Sequence, residues 1–222
     1  MRLGMGDSVT VFNGRDGEWS ARIAEVGKGR CSVELADRLR AQRPEPDLWL
    51  LFAPIKKAPL DFMVEKATEL GVSRLCPVIT QRTVVSRVNG ERMRANAIEA
   101  AEQCERLSVP DIAEPINLDR LIAQWPRRSM MVMDETGSGR PIAEVLASAG
   151  HGPCAILVGP EGGFARSELD ALRKLSSVTF VGLGPRILRA DTAALSALAC
   201  WQALIGDWRD PPPREPKFGI DN

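Results

Sequence analysis

The chain has 222 residues, 29 Lys and Arg balanced by 29 Asp and Glu, and 44% hydrophobic residues. Zero net charge excludes a histone-like blanket binder, which needs one sign of charge over the whole surface, but it allows a local basic face. The length permits a substantial core, and neither a charged-then-apolar leader nor an apolar run near the roughly 20 residues of a bilayer-spanning helix is present, so a cytoplasmic, non-membrane protein is expected. Cys31, Cys76, Cys104, Cys154 and Cys200 are widely spaced, odd in number and without a CxxC, which argues against a metal site or disulfide framework and fits a reducing compartment.

In chain order, residues 1 to 36 hold three alternating stretches, Ser8 to Phe12, Glu18 to Ala24 and Cys31 to Leu35. Asn13-Gly14-Arg15-Asp16-Gly17 and Gly27-Lys28-Gly29 separate them, which predicts hairpins. Three strands bury no self-sufficient core, so they are expected to dock on the next domain or to belong to an incomplete barrel. Arg38 to Asp47 is polar and proline-bearing and reads as a linker. Leu48 to Ala53 reads as a strand, and Leu60, Met63, Val64, Ala67 and Leu70 recur at helical spacing before a Gly71 stop. Val72 to Thr80 reads as the next strand and Glu91 to Leu107 as a helix closed by Pro110, with Glu102, Gln103 and Arg106 near its C-terminal end. A short helix over Leu118 to Trp125, a strand over Met130 to Met133 and a helix over Ile142 to Ala149 follow. Strands alternating with helices from Leu48 onward predict an α/β domain with a mostly parallel sheet.

The C-terminal third carries the chemistry. Cys154 to Val158 is a short apolar strand that breaks into Gly159-Pro160-Glu161-Gly162-Gly163-Phe164, and Val178 to Val181 is another that breaks into Gly182-Leu183-Gly184-Pro185. Ser167 and Asp170 fit a capping box for the helix between them, so Ala155 to Gly184 reads as one βαβ unit with both glycine loops at one sheet edge. Ligands in open α/β sheets bind at that edge, and backbone without Cβ atoms lets them approach closely. Arg186 and Arg189 then precede Asp191 and Thr192, which sit where the cap of an apolar helix over 192 to 205 belongs. There is no dinucleotide fingerprint, P-loop or G-x-S-x-G elbow. His151, the only histidine, precedes its strand and falls at the opposite edge, so histidine acid/base chemistry is not expected.

Together GPEGGF at 159 to 164, LGPRILRADTAAL at 183 to 195, KATELGV at 66 to 72 and AEQCER at 101 to 106 resemble the RsmE family, the ribosomal small-subunit RNA methyltransferases of the SPOUT superfamily. The resemblance spans Met1 to Asp207 in the family's order, and the paired glycine-loop motifs are specific to it. It implies an α/β fold whose C-terminal trefoil-knot domain, residues 45 to 208, has a mostly parallel sheet. It also implies a partial PUA-like β-barrel that holds RNA, residues 1 to 44, ahead of that domain; residues 209 to 222, with four prolines and no apolar periodicity, read as a flexible tail. It further implies S-adenosylmethionine, without a metal, as donor for methylation of uridine N3 in 16S ribosomal RNA of the small subunit, by a homodimer packed knot against knot. The helix over 192 to 205, with Trp201, is the expected dimer face.

By the same resemblance Met133, Leu157, Gly159, Pro160, Glu161, Gly162, Leu183, Gly184, Ile187 and Leu188 would hold the donor. Asp191 would act as base with Thr192 orienting the uracil, Arg189 would stabilise charge on the uracil oxygens, and Arg2, Arg82, Arg87, Arg106 and Arg186 would contact RNA. Two departures stand out: Arg2 to Asp7 matches a turn that lies inside the family's barrel, so a truncated N-terminus is expected, and Asp191 replaces the usual Glu. The competing readings are a non-catalytic RNA-binding or ribosome-assembly factor and a ribose 2′-O-methyltransferase.

Overall fold

The computed structural model describes residues 3–85 and 87–211. Strands β1 (Ser8–Phe12), β2 (Glu18–Gly27) and β3 (Arg30–Arg40) form an antiparallel sheet in that order. The first expected turn is made as its residues require: Gly14 and Gly17 have φ of 78° and 89°, and a Cβ on Gly17 would stand 2.2 Å from the Arg40 carbonyl oxygen. The predicted linker is shorter than expected, because Arg38-Leu39-Arg40 continues β3. Its ladder with β2 extends to Glu18↔Arg40, and Arg40 also forms an ion pair with the buried Glu18. A tertiary partner overrides the polar composition there. Every residue of β3 before Arg40 is exposed.

The rest of the described chain is one α/β unit. Its elements are β4 (Leu48–Phe52), α1 (Lys57–Glu69), β5 (Arg74–Ile79), α2 (Gly90–Gln103), β6 (Asp111–Ile112), β7 (Ile116–Asn117), α3 (Leu118–Ala123) and β8 (Ser129–Met133). They continue with β9 (Arg140–Pro141), α4 (Ile142–Ala147), β10 (Cys154–Val158), α5 (Arg166–Arg173), β11 (Val178–Gly182) and α6 (Ala190–Leu204). The strands are all parallel in the order β6-β5-β4-β10-β8-β11-β9, with β7 also on β5. β10 and β11 do not pair with each other. Both pair with β8, from opposite sides, so the expected βαβ unit has a third strand through its middle.

Helices cover both faces, giving two cores. One contains Leu50, Phe52, Met63, Ile156, Leu198 and Trp201, the other Leu51, Val78, Val132, Leu157 and Leu172. Neighbours such as Leu50 and Leu51 thus serve opposite layers, as the period of two of a strand demands. Trp201 is only 3% exposed and packs in its own chain's core, so it is not a residue of an open dimer face. Gln202 beside it is equally buried; its amide donates to Leu70 O at 2.7 Å and accepts from the Asp207 N–H at 3.0 Å, clasping the ends of α1 and α6.

Three expected boundaries move for local reasons. α2 stops at Gln103 and Glu105 turns the chain with φ 60°, while Arg40 donates to its carbonyl at 2.9 Å. At α5 the N-cap position is Ala165, and the carboxylate that reaches back to its N–H, at 2.8 Å, is Glu168 rather than Asp170. At α6 the N-cap is Arg189, which places Asp191 and Thr192 inside the first turn. A carboxylate there is favoured by the exposed amides and the helix dipole. Residues 212–222, most of the expected tail, lie outside the described residues.

Candidate active site

Because β10, β8 and β11 are adjacent and parallel, their C-terminal ends Val158, Met133 and Gly182 reach the same edge of the sheet. The three loops that leave them enclose a cavity of about 370 Å³. That volume lies within the ordinary range for a small-molecule site. Its first wall is Gly159, Pro160 and Glu161, and its second runs from Val181 through Leu183, Gly184, Pro185 and Ile187 to Leu188. The third is Met133 with Asp134 to Gly137 and Gly139. Ala190 and Ala193 of α6 complete the enclosure.

Glycine is needed where these walls touch. A Cβ on Gly139 would stand 2.6 Å from the Val181 carbonyl carbon and 2.7 Å from the Gly182 nitrogen, so backbone lies against backbone. Gly159 carries the Phe164 ring, 2.9 Å from where its Cβ would be. Gly163 has φ 67°, a region that glycine adopts without strain. Asp134 is buried, and burial works against its charge. The hydrogen bonds it accepts from Ser138 Oγ at 2.6 Å and the Thr136 N–H at 2.9 Å outweigh that, so its pKa lies below the usual carboxylate value.

The loop after β10 is braced from behind. Glu168 is 3% exposed, and besides the Ala165 N–H it accepts the Gln81 N–H at 2.8 Å, while Gln81 Nε2 donates to Ser167 Oγ at 3.0 Å. Arg82 Nη1 donates to Gly162 O at 2.7 Å. The loop after β5 and the loop after β10 are therefore one unit. Glu168→Ala is expected to lower stability by about 2–3 kcal/mol, since it strips a charged acceptor from two amides. Glu168→Gln, which offers one acceptor oxygen for two donors, should fall between it and the parent in a chemical-denaturation series.

Of the expected donor-binding residues, Met133, Gly159, Pro160, Glu161, Leu183, Gly184, Ile187 and Leu188 are brought together on the cavity wall. Leu157 is not: it sits in the opposite core, and the wall residue is its neighbour Val158. Gly162 lies one step beyond the wall, engaged by Arg82. Arg189, Asp191 and Thr192 alternate in sequence with the wall residues Leu188, Ala190 and Ala193 without lining the cavity themselves. Asp191 Oδ1 accepts from the Thr192 N–H at 2.8 Å, and Oδ2 accepts no hydrogen bond among the described residues.

Arg82, Arg87, Arg186 and Arg189 are all exposed, with Arg186 on the cavity wall. Arg106 is a correction. Its side chain is 8% exposed and the guanidinium donates to Glu45 Oε2, Thr68 O and Ser108 Oγ, so it holds the linker and α1 together rather than facing RNA. Arg2 lies outside the described residues. His151 Nδ1 lies 3.2 Å from Ile205 O and lines no part of the cavity. The wall that sequence reasoning missed is Asp134 to Gly139. Its signal was available, a third glycine-bearing loop after a strand, DETGSG, of which only Met133 was singled out.

Known proteins place this arrangement. Residues 42–202 match the RNA methyltransferase domain family and residues 1–36 the RNA methyltransferase PUA domain family, so fold and site define an RNA methyltransferase. The ribosomal RNA small subunit methyltransferase E of Rickettsia conorii is 35% identical over 199 residues, covering 90% of this chain and 82% of its own. That of Bacillus subtilis is 28% identical over 212 residues, with coverages of 90% and 82%. The solved methyltransferase E of Neisseria gonorrhoeae, bound to S-adenosylmethionine, superposes with TM-score 0.82 at 27% identity, covering 93% of this chain and 86% of its own. A Legionella pneumophila methyltransferase with the same cofactor bound gives 0.80 at 29% identity, with coverages of 90% and 84%. The chain belongs to the ribosomal RNA small subunit methyltransferase E family.

Proposed function

We propose that this chain methylates N3 of a specific uridine in 16S ribosomal RNA, with S-adenosylmethionine held in the cavity at the ends of β8, β10 and β11. The observation that carries the reading is the convergence of two glycine loops and a third strand end on one cavity, in a chain of this family. The residues present fit the donor: glycine edges expose main chain to it, Met133, Val158, Leu183 and Leu188 offer apolar walls, and the carboxylates suit its positive charge. When bound, the donor supplies an electrophilic methyl group on a sulfonium.

The chain's own groups do the rest. Asp191, through Oδ2, takes the N3 proton, and Thr192 orients the uracil. Arg189 offsets the charge that develops on the uracil oxygens, and the two glycine loops fix the reacting distance. Residues 1–44 and the exposed Arg82, Arg87 and Arg186 hold the RNA, and residues 45–208 form the catalytic domain. The enzyme works in the cytoplasm as a homodimer joined through the catalytic domains.

Arg189→Ala is expected to lower turnover on small-subunit RNA about 100-fold while leaving S-adenosylmethionine affinity unchanged, the usual size for removing one charge-stabilising donor. Full turnover in that variant would remove Arg189 from the mechanism. The product is read by primer extension, because N3 methylation blocks the Watson–Crick edge and a ribose methyl does not. Extension stopping at one uridine supports the reading. Read-through with methyl incorporation would favour ribose 2′-O-methylation, and RNA binding without any methyl incorporation the assembly-factor role.

A further inference from the structure

The cavity wall carries three carboxylates, Asp134, Glu135 and Glu161, against one guanidinium, Arg186. Asp134 is fixed by Ser138 and Thr136, and its charge is favoured further by Arg173, itself paired with Asp170 at 3.2 Å. Glu135 leans across the donor loop, for a Cβ on Gly163 would lie 1.9 Å from its Oε1. Neither Glu135 nor Glu161 has an ion-pair or hydrogen-bond partner among the described residues. Two carboxylates left uncompensated beside a buried third make this cavity wall acidic in a chain whose formal net charge is zero.

The methyl donor and its product differ by one charge. Ammonium and carboxylate are common to both, but the sulfonium becomes a neutral thioether once the methyl has left. An acidic wall therefore tells them apart by Coulomb attraction alone. At roughly 6 Å and an effective dielectric of about 40, one carboxylate favours the cation about tenfold, ~1.4 kcal/mol. We infer that Asp134, Glu135 and Glu161 make this cavity select the cationic donor over its neutral thioether product, so that spent cofactor leaves rather than competes. The inference rests on the methyltransferase reading and adds the residues that set donor-over-product preference. It also has a kinetic consequence: attraction to a charge that disappears during transfer is strongest before the reaction, so it lowers the donor's KM without raising kcat.

The test is calorimetric titration of the full chain with S-adenosylmethionine and, separately, S-adenosylhomocysteine, in the parent and in the double variant Glu135→Gln, Glu161→Gln. Both side chains are exposed, so folding should be retained, which a thermal melt checks. The expected result is that donor affinity falls about tenfold or more and product affinity less than about twofold. The preference should also shrink with added salt in the parent. Asp134→Asn should shift the ratio the same way while keeping the Thr136 bond. Equal weakening of both ligands, or an unchanged ratio, overturns the inference and leaves the donor site standing. A parent that binds neither ligand overturns the donor site as well.

Discussion

Arg106→Ala is expected to lower the unfolding free energy by about 3 kcal/mol, seen as a lower denaturant midpoint at unchanged slope. The guanidinium joins three parts of the chain: Glu45 in the linker, the Thr68 carbonyl in α1 and Ser108 after α2. Removing it leaves the part-buried Glu45 carboxylate with only the Ser108 hydroxyl, at 2.6 Å, and the Thr68 carbonyl with only the Gly71 N–H, at 3.1 Å, which costs more than the pair contributes when intact. The effect belongs at the low end of the range for buried pairs, because the Glu45 side chain is 24% exposed. Arg106→Lys should recover only part, since an ammonium cannot reproduce the planar fork. A loss under about 1 kcal/mol, with RNA affinity falling instead, would return Arg106 to the RNA-facing set.

Gly139→Ala is expected to reduce S-adenosylmethionine affinity by tenfold or more and stability by about 1–3 kcal/mol. The added methyl would meet main-chain atoms at 2.6 and 2.7 Å, and main chain has no rotamer with which to step aside. Gly139 and the β9 residues after it, Arg140 and Pro141, which pair with Val181 and Gly182, must then shift from β11, and with them two walls of the cavity. Gly162→Ala is the internal control. A Cβ there comes no closer than 3.6 Å, to Arg82 side-chain carbons, so that variant should bind the donor normally. Equal affinity in the two variants would mean that the β9 to β11 contact does not shape the site.

Much of the site was legible in the sequence, because glycine marks places where backbone must come close whatever the rest of the fold does. The loops at 159–163 and 182–184 could be read as one ligand edge from their own residues. The order of the strands could not. β10 enters between β4 and β8 through pairings such as Cys154↔Leu48, and nothing within either segment records such a partner. Leu157 was misassigned for a related reason. All five residues of CAILV are buried, so the run has no polar alternation to tell which members face the cavity. Arg106 looked like a surface cation at a helix end, and only the fold brings Glu45, 61 positions away, to cover it. The N-caps of α5 and α6 moved by two to three residues, to Ala165 and Arg189, which cap through backbone geometry and not through the short polar side chains that a sequence reading looks for.

The place of β10 also bears on how the protein comes into being. β4 is made early, yet its partner on one side is synthesised roughly a hundred residues later, and α6, which roofs the same layer, is later still. At the usual elongation rate of about 5–20 residues per second, β4 waits seconds with one apolar edge unpaired. Such non-local pairing slows folding and exposes the nascent chain to misassembly, so dependence on chaperones during translation is the expected cost. The cavity itself closes only when Ala190 and Ala193 arrive. By this topology, the cavity at the ends of β8, β10 and β11 has all its walls only once the start of α6 has been made.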